Sequence, residues 1–236
     1  MFNNKLMVIF VAISLLGGCS SGGGGSAAIT PADPAVSTLS FPLQSAYKTL
    51  VADGMTKNFT VSGACSGTGI RTISPATTAA IFEGVAGFSA VESLTMLFTD
   101  CTPASVTTTA ASYYDSNYVP IGFNSIGINY GVYLTPPTIP TSVAVGGAEV
   151  VGTETLYTDS TKATGIGRID VSYVVEADTA TAAIVNLIGK NYNAAGTLIA
   201  TEQDRYRIAA TGALTPISAD ILYANGSATH LVITYN

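Results

Sequence analysis

The chain has 236 residues, a formal net charge of −6, and charged side chains at only 10% of its positions. With 9 Lys and Arg against 15 Asp and Glu, it has no electropositive footprint for nucleic acid and no basic surface for holding an anionic membrane. Thr, Val, Ile and Tyr are frequent, and little of the chain shows the period of about 3.6 residues that marks a helix, so an all-β protein is predicted.

At the N-terminus, Lys5 precedes the apolar run Leu6 to Leu16 (LMVIFVAISLL). A transmembrane helix needs about 20 apolar residues, so the run reads as the apolar region of a signal peptide. It closes in Leu16-Gly17-Gly18-Cys19 and is followed by Ser20 and Ser21. These residues resemble the lipobox of bacterial lipoproteins, in which the Cys thiol is lipidated and becomes the new N-terminus. The resemblance covers residues 1–26. It implies a signal peptide at 1–18, lipidation with palmitate-type chains at Cys19, and export to an oxidising compartment. Ser rather than Asp at position 20 implies sorting to the outer membrane of a Gram-negative cell. Stable anchoring needs two acyl chains or more, because one chain binds only marginally. Loss of the first 18 of 236 residues, Lys5 among them, leaves 218 residues and moves the net charge from −6 to −7.

Residues 19–36 begin Cys-Ser-Ser-Gly-Gly-Gly-Gly-Ser and read as a flexible tether with a reach of about 23 Å. A Gly run cradles phosphate only where it joins a strand to a helix N-terminus, and this one joins neither. With Cys19 taken by lipid, Cys65 and Cys101 remain. In an exported chain they are expected to form one disulfide, on adjacent strands. The bond would close about 36 residues and contribute about 3–4 kcal/mol in the chain-entropy model. Its reduction is expected to weaken the first half of the chain and spare the second.

The chain also resembles itself. Thr49-Leu50-Val51-Ala52-Asp53 recurs as Thr155-Leu156-Tyr157-Thr158-Asp159, and Ala76-Thr77-Thr78-Ala79-Ala80-Ile81 recurs as Ala180-Thr181-Ala182-Ala183-Ile184. The order is kept, with roughly 25 extra residues in the first half. Between the copies, Pro136, Pro137 and Pro140 favour a stiff extended connector and forbid a central strand. The expected organisation is an N-terminal β domain at 37–133, a Pro/Gly linker at 134–149 and a C-terminal β domain at 150–236. These would be two antiparallel sheets, meander or sandwich-like, related by internal duplication.

Within the second half, Ile169, Val171, Tyr173 and Val175 alternate with Arg168, Asp170, Ser172 and Val174, the pattern of a half-buried strand. Ala182 to Ile188 is apolar on both faces, with a short buried helix as the rival reading. Tyr192-Asn193-Ala194-Ala195-Gly196 is turn chemistry. Strands follow at Leu198 to Ile208, Ile217 to Tyr223 and Leu231 to Tyr235. A two-residue Asn225-Gly226 loop would pair Ile221 with His230 and put the apolar sets of the last two strands on opposite faces. A one-residue slip flips a whole face. Pairing Ile221 with Leu231 therefore predicts an odd-length loop, Asn225-Gly226-Ser227, or a bulge.

Catalytic signals are sparse. His230 is the one His, on the polar side of its strand near Asp220 and Leu222, and reads as exposed. No Gly-x-Ser-x-Gly elbow accompanies it, and no cluster of metal ligands gathers around it. Glu202 and Asp204 share one strand face, opposite Arg205 and Arg207. Paired carboxylates can hydrolyse glycosides, but the favoured reading is a solvated face with cross-strand ion pairs. Tyr113, Tyr114, Tyr118, Tyr130 and Tyr133 read as core aromatics, with sugar or protein binding as the alternative. As a whole the chain resembles the small Thr/Gly-rich all-β lipoproteins of Gram-negative bacteria. Those lipoproteins lack assigned functions, so the resemblance implies an envelope address and points to no particular activity. The leading expectation is a lipid-anchored envelope module without catalysis or cofactor. It would attach to the membrane through its N-terminal lipid and meet an envelope protein or glycan. The alternatives are a carrier of an apolar ligand in a curved sheet and an exported hydrolase using Glu202 and Asp204.

Overall fold

The computed structural model describes residues 35–224 and 229–236. The signal peptide, Cys19, most of the tether and Asn225-Gly226-Ser227 lie outside the described residues.

Helix α1 (Leu43–Asp53) comes first, followed by β1 (Met55–Gly63), β2 (Gly67–Ile73), β3 (Thr78–Phe82) and β4 (Val85–Phe98). Next are β5 (Ser105–Asp115), β6 (Pro120–Ser125) and β7 (Asn129–Tyr133). A long connection leads to β8 (Ala148–Tyr157), β9 (Gly165–Thr179) and β10 (Ala182–Asn193), and then to β11 (Leu198–Ala209), β12 (Leu214–Tyr223) and β13 (His230–Tyr235). Among the described residues the fold is all-β with one helix.

Successive strands pair antiparallel, and two further pairings close the ring. β1 pairs with β13, Phe59 opposite Tyr235, and β2 pairs with β4, Arg71 opposite Leu94. Twelve strands form a closed barrel, and closure removes the unpaired edges that an open sheet would expose. β3 stands outside the ring. It takes over β2's place beside the first half of β4 after an interruption at Ser74-Pro75-Ala76-Thr77, where Pro75 has no N–H to give the ladder.

This corrects the expectation of two separate sheets. Tyr130 of β7 pairs with Tyr157 of β8 across the expected domain boundary, so residues 37–133 and 150–236 share one wall. The Pro-rich 134–149 segment connects two neighbouring strands, and its Val143 bridges to Phe41 beside α1. The matched segments also differ in structure: Thr49 lies in the helix and Thr155 in β8. Ala182 to Ile188 is strand rather than helix. The last hairpin has the anticipated register, with Ile221 opposite Leu231 and Ala219 opposite Ile233.

Over β9–β12 the inner face of the wall is mostly apolar, Glu202 and Asp204 of β11 apart, and the outer face is mostly polar, with exceptions such as Leu222. On β9, Ile169, Tyr173 and Val175 are buried in the interior, while Asp170, Ser172 and Glu176 alternate outward. A membrane-spanning barrel has the reverse alternation. One end of the interior is filled by Phe59, Leu94, Met96, Leu231 and Ile233, and the other by Phe41, Leu43, Tyr173, Val185 and Ile208. Each such side chain contributes about 1.5–3 kcal/mol when fully buried. Gly69 of β2 makes room for Phe59: a Cβ there would sit 2.2 Å from the Phe59 ring.

Cys65 and Cys101 are disulfide-bonded with Cα atoms 5.8 Å apart. They lie in the β1–β2 turn and the β4–β5 connection, not on the strands, and meet because β2 pairs with β4. The Ala64 N–H donates to the His230 carbonyl at 2.8 Å, so this turn is tied to the C-terminal strand. Reducing the bond, or replacing both Cys by Ala, is expected to lower stability by about 3–4 kcal/mol. Because both halves share the barrel, loss should occur in a single cooperative urea transition. Separate melting of the first half would contradict it.

Candidate functional site

Helix α1 lies across one end of the barrel. Leu43, Ala46, Tyr47, Leu50 and Val51 fall at i, i+3, i+4, i+7 and i+8, which places them on one helical face. The helix stops at Gly54, whose φ of 69° suits a residue without Cβ and whose N–H donates to the Leu50 carbonyl at 2.9 Å. The connector holds the helix in place: the Gln44 N–H donates to the Pro140 carbonyl at 3.2 Å. At the other end, the Ala76 N–H donates to the Val51 carbonyl at 3.0 Å.

Beneath the helix is a cavity of about 180 Å³, roofed by Leu43, Tyr47, Leu50 and Val51. Its walls are mostly apolar, with Ile73, Phe123, Val151, Ile169, Val171 and Leu187 facing it. Polar groups interrupt this lining: the Arg71–Glu92 pair, Glu154, Asn191, Ser112 and several tyrosine hydroxyls, those of Tyr114 and Tyr133 among them.

Arg71 is 5% exposed. Its Nε donates to Glu92 Oε1 at 2.7 Å and its Nη1 to the Tyr235 hydroxyl at 3.0 Å. Glu202 and Asp204 lie buried behind this pair on β11, outside the cavity lining. Burial, and then the neighbouring Asp204 charge, holds the Glu202 carboxyl well above the usual carboxylate range. Burial pushes Asp204 up to about 7, against the opposing pull of Arg71. The expected solvated face for these two carboxylates is therefore wrong. Ala200, Tyr206 and Ile208 are the buried apolar residues of β11, and Glu202 and Asp204 share their parity. The cross-strand ion pairs are on the opposite face, where Arg207 meets Asp178 at 2.6 Å and Arg205 meets Glu176 at 3.5 Å.

Glu154 of β8 is fully buried, and neither carboxyl oxygen has a hydrogen-bond partner among the described residues. Gly131 of the adjacent strand leaves it space: a Cβ there would lie 2.8 Å from Glu154 Oε1 and 2.2 Å from the Phe123 ring. Burial alone pushes the Glu154 carboxyl up to about 8, so it is mostly protonated at neutral pH.

The five tyrosines are divided by the wall. Tyr114 and Tyr133 face the cavity. Tyr113 and Tyr130 lie outside, stacked on Phe82 at 4.3 and 5.1 Å, and the Tyr130 hydroxyl donates to Glu83 at 2.6 Å. Tyr118 stacks on Phe88 at 5.0 Å. His230 faces outward, its Nε2 2.8 Å from Asp220 Oδ1.

Sequence reasoning missed α1, Arg71, Glu92, Glu154 and Asn191. The helix carried the apolar spacing given above. Glu92 shares parity with Ala90, Leu94, Met96 and Phe98, and Glu154 shares it with Leu156. That parity is the available signal, because it places a polar residue among core neighbours. No protein-family model matches this chain, and neither a curated protein nor a solved structure matches it.

Proposed function

We propose that this protein is a lipid-anchored envelope binding protein that encloses a small, mostly apolar molecule inside its barrel, under α1. The observation that carries this reading is the cavity of about 180 Å³ between two packed ends of the barrel. Protein interiors ordinarily hold few voids larger than a water molecule, and ligand sites are concave, mostly apolar and set with a few polar groups. Among the candidate binding tyrosines, Tyr114 and Tyr133 line this cavity instead of presenting an outer patch. That favours an enclosed ligand over a docked protein or glycan. The polar outer wall of β9–β12 fits a body held outside the bilayer by its tether, with Cys19 carrying the lipid and the outer membrane as its address.

The binding reading is tested with propylbenzene as an apolar probe on the purified full chain. Saturation at 100 times Kd should raise stability by about 2.7 kcal/mol. Filling the cavity by Val171→Phe should abolish that gain while the protein stays folded. A probe that leaves wild-type stability unchanged would refute the reading. The anchor is tested separately: Cys19→Ala should remove metabolic palmitate incorporation, and unchanged labelling would exclude lipidation at Cys19.

A further inference from the structure

Resting on the reading of the barrel as a ligand cage, we propose that its ligand is a small organic cation. The expected class is a protonated aryl- or alkylamine whose N–H groups meet Glu154 and Asn191. Buried polar atoms in folded proteins nearly always have partners, so an exception needs a cause. This cavity presents two. Both Glu154 carboxyl oxygens are buried and unpartnered among the described residues, and so is Asn191 Oδ1. Both side chains line the cavity.

Their relative placement follows from strand register. Glu154 of β8 is opposite Ile169 of β9, and Ile169 is opposite Asn191 of β10. The two acceptors therefore stand in one cross-strand row, two strand spacings or about 10 Å apart at the backbone. The apolar Ile169 side chain lies between them. An ammonium lying over Ile169 donates to these oxygens and draws the Glu154 carboxyl into its ionised, acceptor-only form on binding.

Charge points the same way. Among the described residues lining the cavity, the basic one is Arg71, and it is engaged by Glu92 and Tyr235. Glu202 and Asp204 lie buried behind it. An anionic ligand such as a fatty acid would enter an interior richer in carboxyls than in cations. An ammonium gains a carboxyl partner that offsets its loss of water, and charge-assisted hydrogen bonds are the stronger kind. Size narrows the class further. An apolar cavity of about 150 Å³ holds benzene, so about 180 Å³ takes one ring or a short chain with an amine.

The test compares three probes of similar size on the purified full chain by calorimetry at neutral pH: 2-phenylethylamine, propylbenzene and phenylacetate. The amine is expected to bind about tenfold more tightly than the hydrocarbon, with phenylacetate weakest. Glu154→Gln should remove the amine's advantage over propylbenzene. Binding of propylbenzene or phenylacetate as tight as the amine would overturn the cation assignment while leaving the cage reading intact. So would an amine affinity that Glu154→Gln does not change. If none of the three probes binds, the cage reading falls and the inference with it. Should Glu154→Gln fail to fold, Asn191→Leu decides: it must weaken the amine relative to propylbenzene, and an unchanged ratio overturns the proposal.

Discussion

Raising the pH from about 5 to about 9 is expected to destabilise the barrel by about 4 kcal/mol through Glu154 alone. In the unfolded chain a Glu titrates near ~4.3, whereas in the barrel burial raises Glu154 to about 8. Below the unfolded value both states are protonated, and this contribution to stability is fully present. Between the two values only the unfolded state ionises, so each pH unit costs about 1.4 kcal/mol. Above the folded value both states are ionised and the contribution is gone. Asp204, raised to about 7, and Glu202, also raised, add in the same direction. On the acid side Glu83 acts oppositely: its hydrogen bonds with Lys162 and Tyr130 hold it below the ordinary value, so its small contribution is lost on acidification. Urea titrations across this range should show stability falling steadily with pH, and Glu154→Gln should flatten part of the slope. Stability that is level or rising between about pH 5 and 8 would contradict the buried, unpaired state of Glu154.

Arg71→Met is expected to cost about 3–5 kcal/mol, the range for removing one partner from a buried ion pair. Arg71 is 5% exposed and sits against Glu92, with Asp204 close enough to contribute to its charge state. Met keeps much of the volume, so the loss is electrostatic: Glu92 remains enclosed without its guanidinium. The cost should be larger at pH 8 than at pH 5, because acid lets the remaining carboxyls hold protons. Adding Glu92→Gln should recover part of it, because the orphaned charge is then gone. A urea midpoint moved by less than about 1 kcal/mol in Arg71→Met would show that this interior is wetter than its burial implies.

The residues that set these effects were only partly visible in the sequence. Alternation marked β9 and the last hairpin correctly, because a strand has a period of two and a wrong register would turn Ile221 or Leu231 to solvent. The pairing of Cys65 with Cys101 followed from the number of Cys and the expected compartment. Glu202, Asp204 and Glu154 were harder to place. A carboxyl on core parity is normally solvated, and only a neighbouring strand decides whether that side is closed. β2 and β4 bring Arg71 and Glu92 into the same interior as β11, and they are far from it in sequence.

The sequence by itself determined the strand-forming composition, the two alternating sets of side chains along each strand, and the turn chemistry between them, because these depend on neighbours a few residues apart. It also carried the lipobox-like N-terminus, which is read from local pattern alone. Ring closure was decided only by tertiary structure. The pairing of β1 with β13 joins the two ends of the barrel chain, and no local period encodes which distant edges meet. Closure converts one face of each strand into an interior. That interior leaves Glu154 without a partner, surrounds Arg71 with carboxyls, and gives the apolar face of α1 a cavity to cover.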